Sequence, residues 1–243
     1  MMKYKSSTRV LAILLSLLMI FALAACSSQN GGLESDPPTE SGNNTESAQP
    51  SNSGNLDSQN TEYSSGEASA NSNILVVFFS HTGENYSVGV IEKGNTHIIA
   101  DMIAEETGAD MFEIQPENPY PTTYNECTDV AKKEQNENAR PKYIDSVDNM
   151  EQYDTVFIGY PIWWGDLPMV VYTFLESYDF SGKTVIPFCT HEGSGLSGTA
   201  RNVANACSGA TVLDGLAIRG STAQNKQDEA KSDVLKWLNG LDY

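Results

Sequence analysis

Three stretches of the 243-residue chain carry residue types that could do chemistry. Ser80-His81-Thr82-Gly83-Glu84-Asn85 offers hydroxyls, an imidazole and a glycine turn, the groups that converge on a phosphomonoester. It contains no lysine, which separates it from the loops that cradle nucleoside triphosphates. In Tyr160-Pro161-Ile162-Trp163-Trp164-Gly165, two adjacent tryptophans cannot both point into one core. One ring packs beneath the apolar run that follows, and the other is offered to a flat heterocycle. Thr190-His191-Glu192-Gly193-Ser194-Gly195 would let backbone approach a planar ligand closely. His191 reads equally as a proton-handling group and as a loop residue that fixes backbone by hydrogen bonding.

Each stretch follows a short apolar run, and those runs set the fold class. Strands are expected at 74–79, 110–114, 155–160, 184–189 and 211–217. Helical patterns fall at about 96–107, 124–138, 168–176, 198–207 and 222–241. Five strands alternating with five helices read as an α/β fold with a doubly wound parallel sheet. Ligands of such sheets bind beyond the carboxyl ends of the strands, where all three stretches lie.

These loops together resemble the flavodoxin-like family. Its first loop runs Ser/Thr-x-Thr-Gly-x-Thr, matched by Ser80, Thr82 and Gly83; its second closely resembles Tyr-Pro-Ile-Trp-Trp-Gly. The resemblance implies a five-stranded sheet of order 2-1-3-4-5 with helices on both faces, and FMN as cofactor. Departing from that pattern, about eleven residues, 84–94, precede Asn95-Thr96 and the first helix. An insertion that splits the phosphate loop and leaves its halves adjacent is expected, with Asn95 also serving as helix cap. The site it implies comprises Ser80, His81, Thr82, Gly83, Asn85, Asn95, Thr96, Pro161, Ile162, Trp163, Trp164, Gly165, Thr190, His191, Gly193 and Ser194. The function it implies is electron transfer, to a redox partner protein or, as a reductase, to a small acceptor such as a quinone.

Other chemistries fit poorly. Gly195-Leu-Ser-Gly-Thr199 misses the hydrolase motif Gly-x-Ser-x-Gly at its last position, and no histidine follows to complete the usual order. A phosphorylated receiver domain needs clustered acids where Ser80-His81 stands. A binding protein of the same fold without cofactor remains as the non-catalytic reading. His81, His97 and His191 lie on separate elements without metal-ligand spacing. Cys127, Cys189 and Cys207 form no Cys-x-x-Cys, and Cys189 closes a buried strand as a small hydrophobe.

Ahead of this domain stand two unlike segments. Lys3, Lys5 and Arg9 precede the uncharged, Leu-rich run 10–25, which at roughly 24 Å falls short of the ~30 Å hydrocarbon core. It reads as a secretory leader, 1–25. Leu23-Ala24-Ala25-Cys26 resembles the bacterial lipobox, which implies cleavage before Cys26 and lipid on its sulfur, hence an extracytoplasmic, membrane-anchored protein. Residues 26–72 are Ser/Asn/Gly/Glu-rich with no Lys or Arg and read as a disordered tether. The chain's net charge of −18 divides as +3 for the leader, −7 for the tether and −14 for residues 73–243. That surplus argues against nucleic acid as a partner. An acidic face can instead steer a basic redox partner.

Overall fold

A computed structural model describes residues 73–243. The leader, Cys26 and the tether expected at 1–72 lie outside the described residues. No helix among the described residues is long and apolar enough to cross a membrane.

Near-continuous apolar runs form the centre of one parallel sheet: β1 (Ile74–Phe78), β2 (Asp110–Glu113), β3 (Thr155–Pro161), β4 (Thr184–His191) and β5 (Leu216–Arg219). Their spatial order is β5-β4-β3-β1-β2, the expected 2-1-3-4-5. Because side chains alternate across a strand, β1 feeds both layers: Leu75 and Val77 pack on one face, Val76 and Phe78 on the other. Helices α1 (Asn95–Thr107), α5 (Gly220–Asn225) and α6 (Gln227–Leu238) cover the Val76/Phe78 face. On the opposite face lie α2 (Tyr124–Glu137), α3 (Met169–Leu175) and α4 (Thr199–Ala206). In α1 the buried stripe is Ile98, Ile99, Met102 and Ile103, the i, i+1, i+4, i+5 spacing that faces one surface.

Two expected elements are divided. The run 211–217 forms a short strand, Thr211–Val212, and then β5, with Leu213–Gly215 between them. Thr211–Val212 pairs with Thr184–Val185, and β5 pairs with Phe188–His191, so the gap stands opposite Pro187. Pro187 has no N–H to give to a neighbouring strand, which is why pairing lapses there. The helix expected over 222–241 breaks at Lys226, whose φ of −145° is not helical, and gives α5 and α6. Two small antiparallel ribbons were not expected: Gly83–Asn85 with Gly89–Ile91, and Gln115–Pro116 with Tyr143–Ile144.

The sheet is closely packed at Gly159 on β3. A Cβ there would lie 2.1 Å from Cζ of the fully buried Phe188 on β4. Gly159→Ala must push that ring off its site, at a cost of about 1–3 kcal/mol. A correspondingly lower urea midpoint with unchanged far-UV circular dichroism is the expected result.

Candidate flavin site

The polypeptide leaves β1 through Phe79 and Ser80, and α1 begins beside that exit. Ser80 Oγ accepts a hydrogen bond from the backbone N–H of His97, the third residue of α1, at 3.1 Å. The helix N-cap is Gly94 (φ −66°, ψ 151°), not Asn95, which is already helical. Asn95 therefore does not cap the helix; Ser80, distant in sequence, supplies the capping oxygen. Only glycine fits at 94: a Cβ would lie 2.1 Å from Ser80 Oγ and 2.7 Å from the His81 carbonyl oxygen. Gly94 thus touches the segment leaving β1, and the chain between them forms the 83–91 hairpin.

That hairpin is held to the segment before α2. His81 Nε2 donates to the Pro121 carbonyl at 3.0 Å, Glu84 N–H donates to the Thr122 carbonyl at 2.7 Å, and Tyr124 N–H donates to Glu84 Oε2 at 2.9 Å. Asn85 Nδ2 donates to the carbonyls of Gly83 and His81 and lies 3.4 Å from His81 Nδ1. With Nε2 as donor, Nδ1 is the lone-pair nitrogen of a neutral ring. Burial lowers the His81 pKa below the ordinary imidazole value, with the Pro121 hydrogen bond opposing.

The two tryptophans sit in different environments. Trp163 is half-buried and meets Phe79, Tyr120 and His81 edge-on, at centroid distances of 5.3, 4.9 and 5.8 Å. Trp164 is 54% exposed. Trp163 N–H donates to the Asp166 carbonyl and Asp166 N–H returns a bond to the Trp163 carbonyl. The intervening Trp164 (φ 50°) and Gly165 (φ 78°) have the left-handed backbone of a type I′ turn. For a residue as bulky as tryptophan this conformation costs about 1–2 kcal/mol. Contacts to α2 hold it: Trp164 Nε1–H donates to the Thr128 carbonyl at 2.9 Å, and Lys132 Nζ sits 5.1 Å above its ring.

In the third loop, His191 Nδ1 accepts from the N–H groups of Gly193 (2.8 Å) and Gly195 (3.2 Å). Burial lowers its pKa, the nearby Arg219 lowers it further, and Glu192 opposes both. Because Nδ1 accepts both bonds, the ring proton is on Nε2. It fixes the loop while still lining the cavity. Glu192 accepts from the backbone N–H and hydroxyl of Ser221, at 2.6 and 3.1 Å. Thr190 Oγ1 and Thr96 Oγ1 lie 2.8 Å apart, both buried.

Together these loops bound a cavity of about 270 Å³ beyond the carboxyl ends of β1, β3 and β4. Of the expected site residues, His81, Asn85, Asn95, Pro161, Ile162, Trp163, Trp164, Thr190 and His191 line it. Ser80, Thr82, Gly83, Thr96, Gly165, Gly193 and Ser194 do not. Ser80 is turned to α1 and Thr96 to Thr190, while Thr82, Gly165, Gly193 and Ser194 are exposed beside the cavity. Sequence reasoning missed the opposite wall: Glu84 and Tyr86 of the hairpin, and Tyr124, Cys127, Thr128 and Ala131 of α2. The α2 residues are spaced i, i+3, i+4, i+7, a single-face signal in an otherwise polar helix. Glu192 and Gly220 complete the lining. The Cys127 thiol, buried in this wall, has its pKa pushed up to about 12 by burial and then by Glu134.

The lining suits a ring system bearing hydroxyls. Among the described residues, Asn95 Oδ1 is a buried side-chain polar atom with no hydrogen-bond partner. It is an acceptor awaiting a donor. Aromatic rings offer stacking surface, and the lining contains no Lys or Arg.

A parallel sheet of order 2-1-3-4-5 with an aromatic cavity at its carboxyl end defines a flavodoxin-like protein. The chain belongs to the flavodoxin family, whose model matches residues 73–239. Among solved structures it is similar to a protein assigned as a flavoprotein from Bacteroides eggerthii, at 29% identity and TM-score 0.55 over 69% of this chain and 96% of that one. A second such protein, from Bacteroides uniformis, gives 27% identity and TM-score 0.54 over 68% and 97%. A flavoprotein in complex with FMN from Lactobacillus acidophilus is 20% identical, with TM-score 0.47 over 64% and 97%. No curated protein matches the chain.

Two predictions follow from the first loop. Ser80→Ala leaves the His97 N–H without its acceptor and is expected to cost about 1 kcal/mol in chemical denaturation. His81 has a lowered pKa in the fold, so its stabilising contribution is complete above the unfolded value near 6.5 and is lost as pH falls through the folded value. His81→Gln can keep the donor to Pro121 while removing the titration. Urea midpoints taken from pH 7.5 down to 5 are expected to fall less steeply for that variant than for wild type.

Proposed function

We propose that the protein binds FMN in this cavity and works as an electron-transfer protein, held at a bacterial membrane by lipid on Cys26. The observation that carries the cofactor assignment is the buried, unpartnered Asn95 Oδ1 in a cavity walled by tryptophans. It is placed to accept from a ribityl hydroxyl. Trp163 supplies ring surface, and His191 presents an Nε2–H donor. The phosphate belongs outside the lining, where Ser80 can still give its hydroxyl proton and Thr82 and the start of α1 add further donors. In this reading the 84–94 segment is an insertion that splits the phosphate loop and leaves both halves usable. Bound flavin would supply the one- or two-electron chemistry.

The domain's net charge of −14 fits a carrier that is steered to a basic redox protein. A second reading, reduction of a small acceptor, is favoured by the open mouth of the cavity, where Tyr86 is 62% and Trp164 54% exposed. The lipid anchor rests on the Leu-Ala-Ala-Cys run at 23–26. Labelled palmitate entering wild type but not Cys26→Ser, with the variant released to the soluble fraction, is the expected result.

Titrating FMN while recording the visible spectrum tests the cofactor assignment. Micromolar or tighter binding is expected, weakened about fivefold or more in Asn95→Ala and further in Trp163→Ala; no flavin bands at millimolar FMN would refute it. Glu84 lines the cavity as a carboxylate and disfavours added electrons. Glu84→Gln is therefore expected to raise the flavin potential by on the order of 20–40 mV in spectroelectrochemical titration.

A further inference from the structure

We infer that Tyr86 and Tyr124, with Trp164, form a second subsite at the cavity mouth that takes an uncharged, planar aromatic molecule. Large exposed apolar rings are costly and seldom cluster without a use. Among the described residues, three of the seven exposed large hydrophobic side chains stand at this mouth: Tyr86 at 62%, Tyr124 at 37% and Trp164 at 54%. They come from three separate elements, the 83–91 hairpin, α2 and the Trp-Trp turn. Core packing does not explain such convergence.

The geometry suits a ring. Tyr86 and Tyr124 meet as a tilted pair, 6.0 Å between centroids and 35° between planes, each still exposed to solvent. Trp164 is bonded through its indole N–H to the carbonyl of Thr128, which lies one helical turn from Tyr124 on the same wall. The slot is held rather than loose. Glu84 ties the hairpin to Tyr124 N–H, and Gln135 Nε2 donates to the Trp164 carbonyl at 3.3 Å.

Charge selects the class of ligand. The lining holds the carboxylates Glu84 and Glu192 and no Lys or Arg, and its two histidines are neutral by their hydrogen bonding. Lys132 lies over the Trp164 ring but does not line the cavity. Arg219 stands 3.8 Å from Glu192 and offsets its charge, so the repulsion an anionic ring would meet comes from Glu84, beside Tyr86; an uncharged ring pays no such penalty. The subsite rests on the FMN reading only for the identity of the inner ligand.

The probe is 2,3-dimethyl-1,4-naphthoquinone, which is uncharged and has no free position for thiol addition near Cys127. Its near-isostere 2-hydroxy-3-methyl-1,4-naphthoquinone, ionised at neutral pH, is the charged control. Equilibrium dialysis is run on the protein with and without FMN, beside a separate FMN titration of each variant. The neutral quinone is expected to bind at least fivefold more tightly than the ionised one. Tyr86→Ala/Tyr124→Ala is expected to weaken it about tenfold, a several-fold larger loss than the same change makes to FMN affinity, and Tyr86→Phe/Tyr124→Phe to restore it. Unchanged quinone affinity in the alanine variant overturns the inference. So does a parallel loss of FMN affinity, which would place the tyrosines against the flavin. Absence of FMN binding in the wild type would instead remove the cofactor reading, and quinone affinity of the FMN-free protein would still decide the subsite.

Discussion

The site depends on the contact between Gly94 and the end of β1. Without a side chain at 94, the backbone opening α1 comes within reach of Ser80 Oγ and the His81 carbonyl. Three consequences follow from that closure. The first turn of α1 gains an acceptor for His97 N–H from a residue 17 positions away. The intervening chain is forced outward as a hairpin, which then docks on the segment before α2 through Pro121, Thr122 and Tyr124. The cavity thereby acquires a second wall, because the strand-end loops alone supply only one side. A bulkier residue at 94 would displace all three together, since overpacking at a backbone contact has no flexible side chain to absorb it.

Two imidazoles serve this arrangement as fixed dipoles. His81 and His191 each have one ring nitrogen committed to backbone: His81 gives its Nε2 proton to Pro121, and His191 takes protons from Gly193 and Gly195 on Nδ1. Their tautomers are the same, Nε2–H with a lone pair on Nδ1, but their roles differ. His81 braces the hairpin, whereas His191 folds its own loop back and presents its remaining N–H. Burial lowers both pKa values, while at His81 the hydrogen bond that holds the ring still opposes that shift.

Most of the architecture was legible in the sequence because buried parallel strands write themselves as unbroken apolar runs. The runs beginning at Ile74, Thr155 and Thr184 needed no context. What escaped was set by neighbours. The run at 211–217 has strand character throughout, and only its position beside Pro187, two elements earlier, divides it. The N-cap illustrates the same limit: Asn95 has the right chemistry to cap, yet Gly94 occupies the position because of what presses on it from β1. In the site, the Trp-Trp loop announced itself by composition. The α2 wall did not, since Tyr124, Cys127, Thr128 and Ala131 carry no chemical signature, only a shared face.

The split between residues that line the cavity and residues that stand beside it has an electrostatic logic. The lining carries two carboxylates and no cation, an environment that tolerates neutral rings and hydroxyls and rejects a phosphate. Ser80, Thr82 and Thr96 stand outside that lining, and hydroxyls at a helix N-terminus favour negative charge. An FMN bound here would lie across both environments, its ring in the acidic cavity and its phosphate among neutral donors outside. The same division bears on redox chemistry. Carboxylates near such a ring would oppose electron gain, Glu84 more than Glu192, whose charge Arg219 offsets from 3.8 Å. A chain that was merely acidic for solubility would have no reason to place Glu84 and Glu192 in the cavity and fix each by a hydrogen bond to backbone N–H.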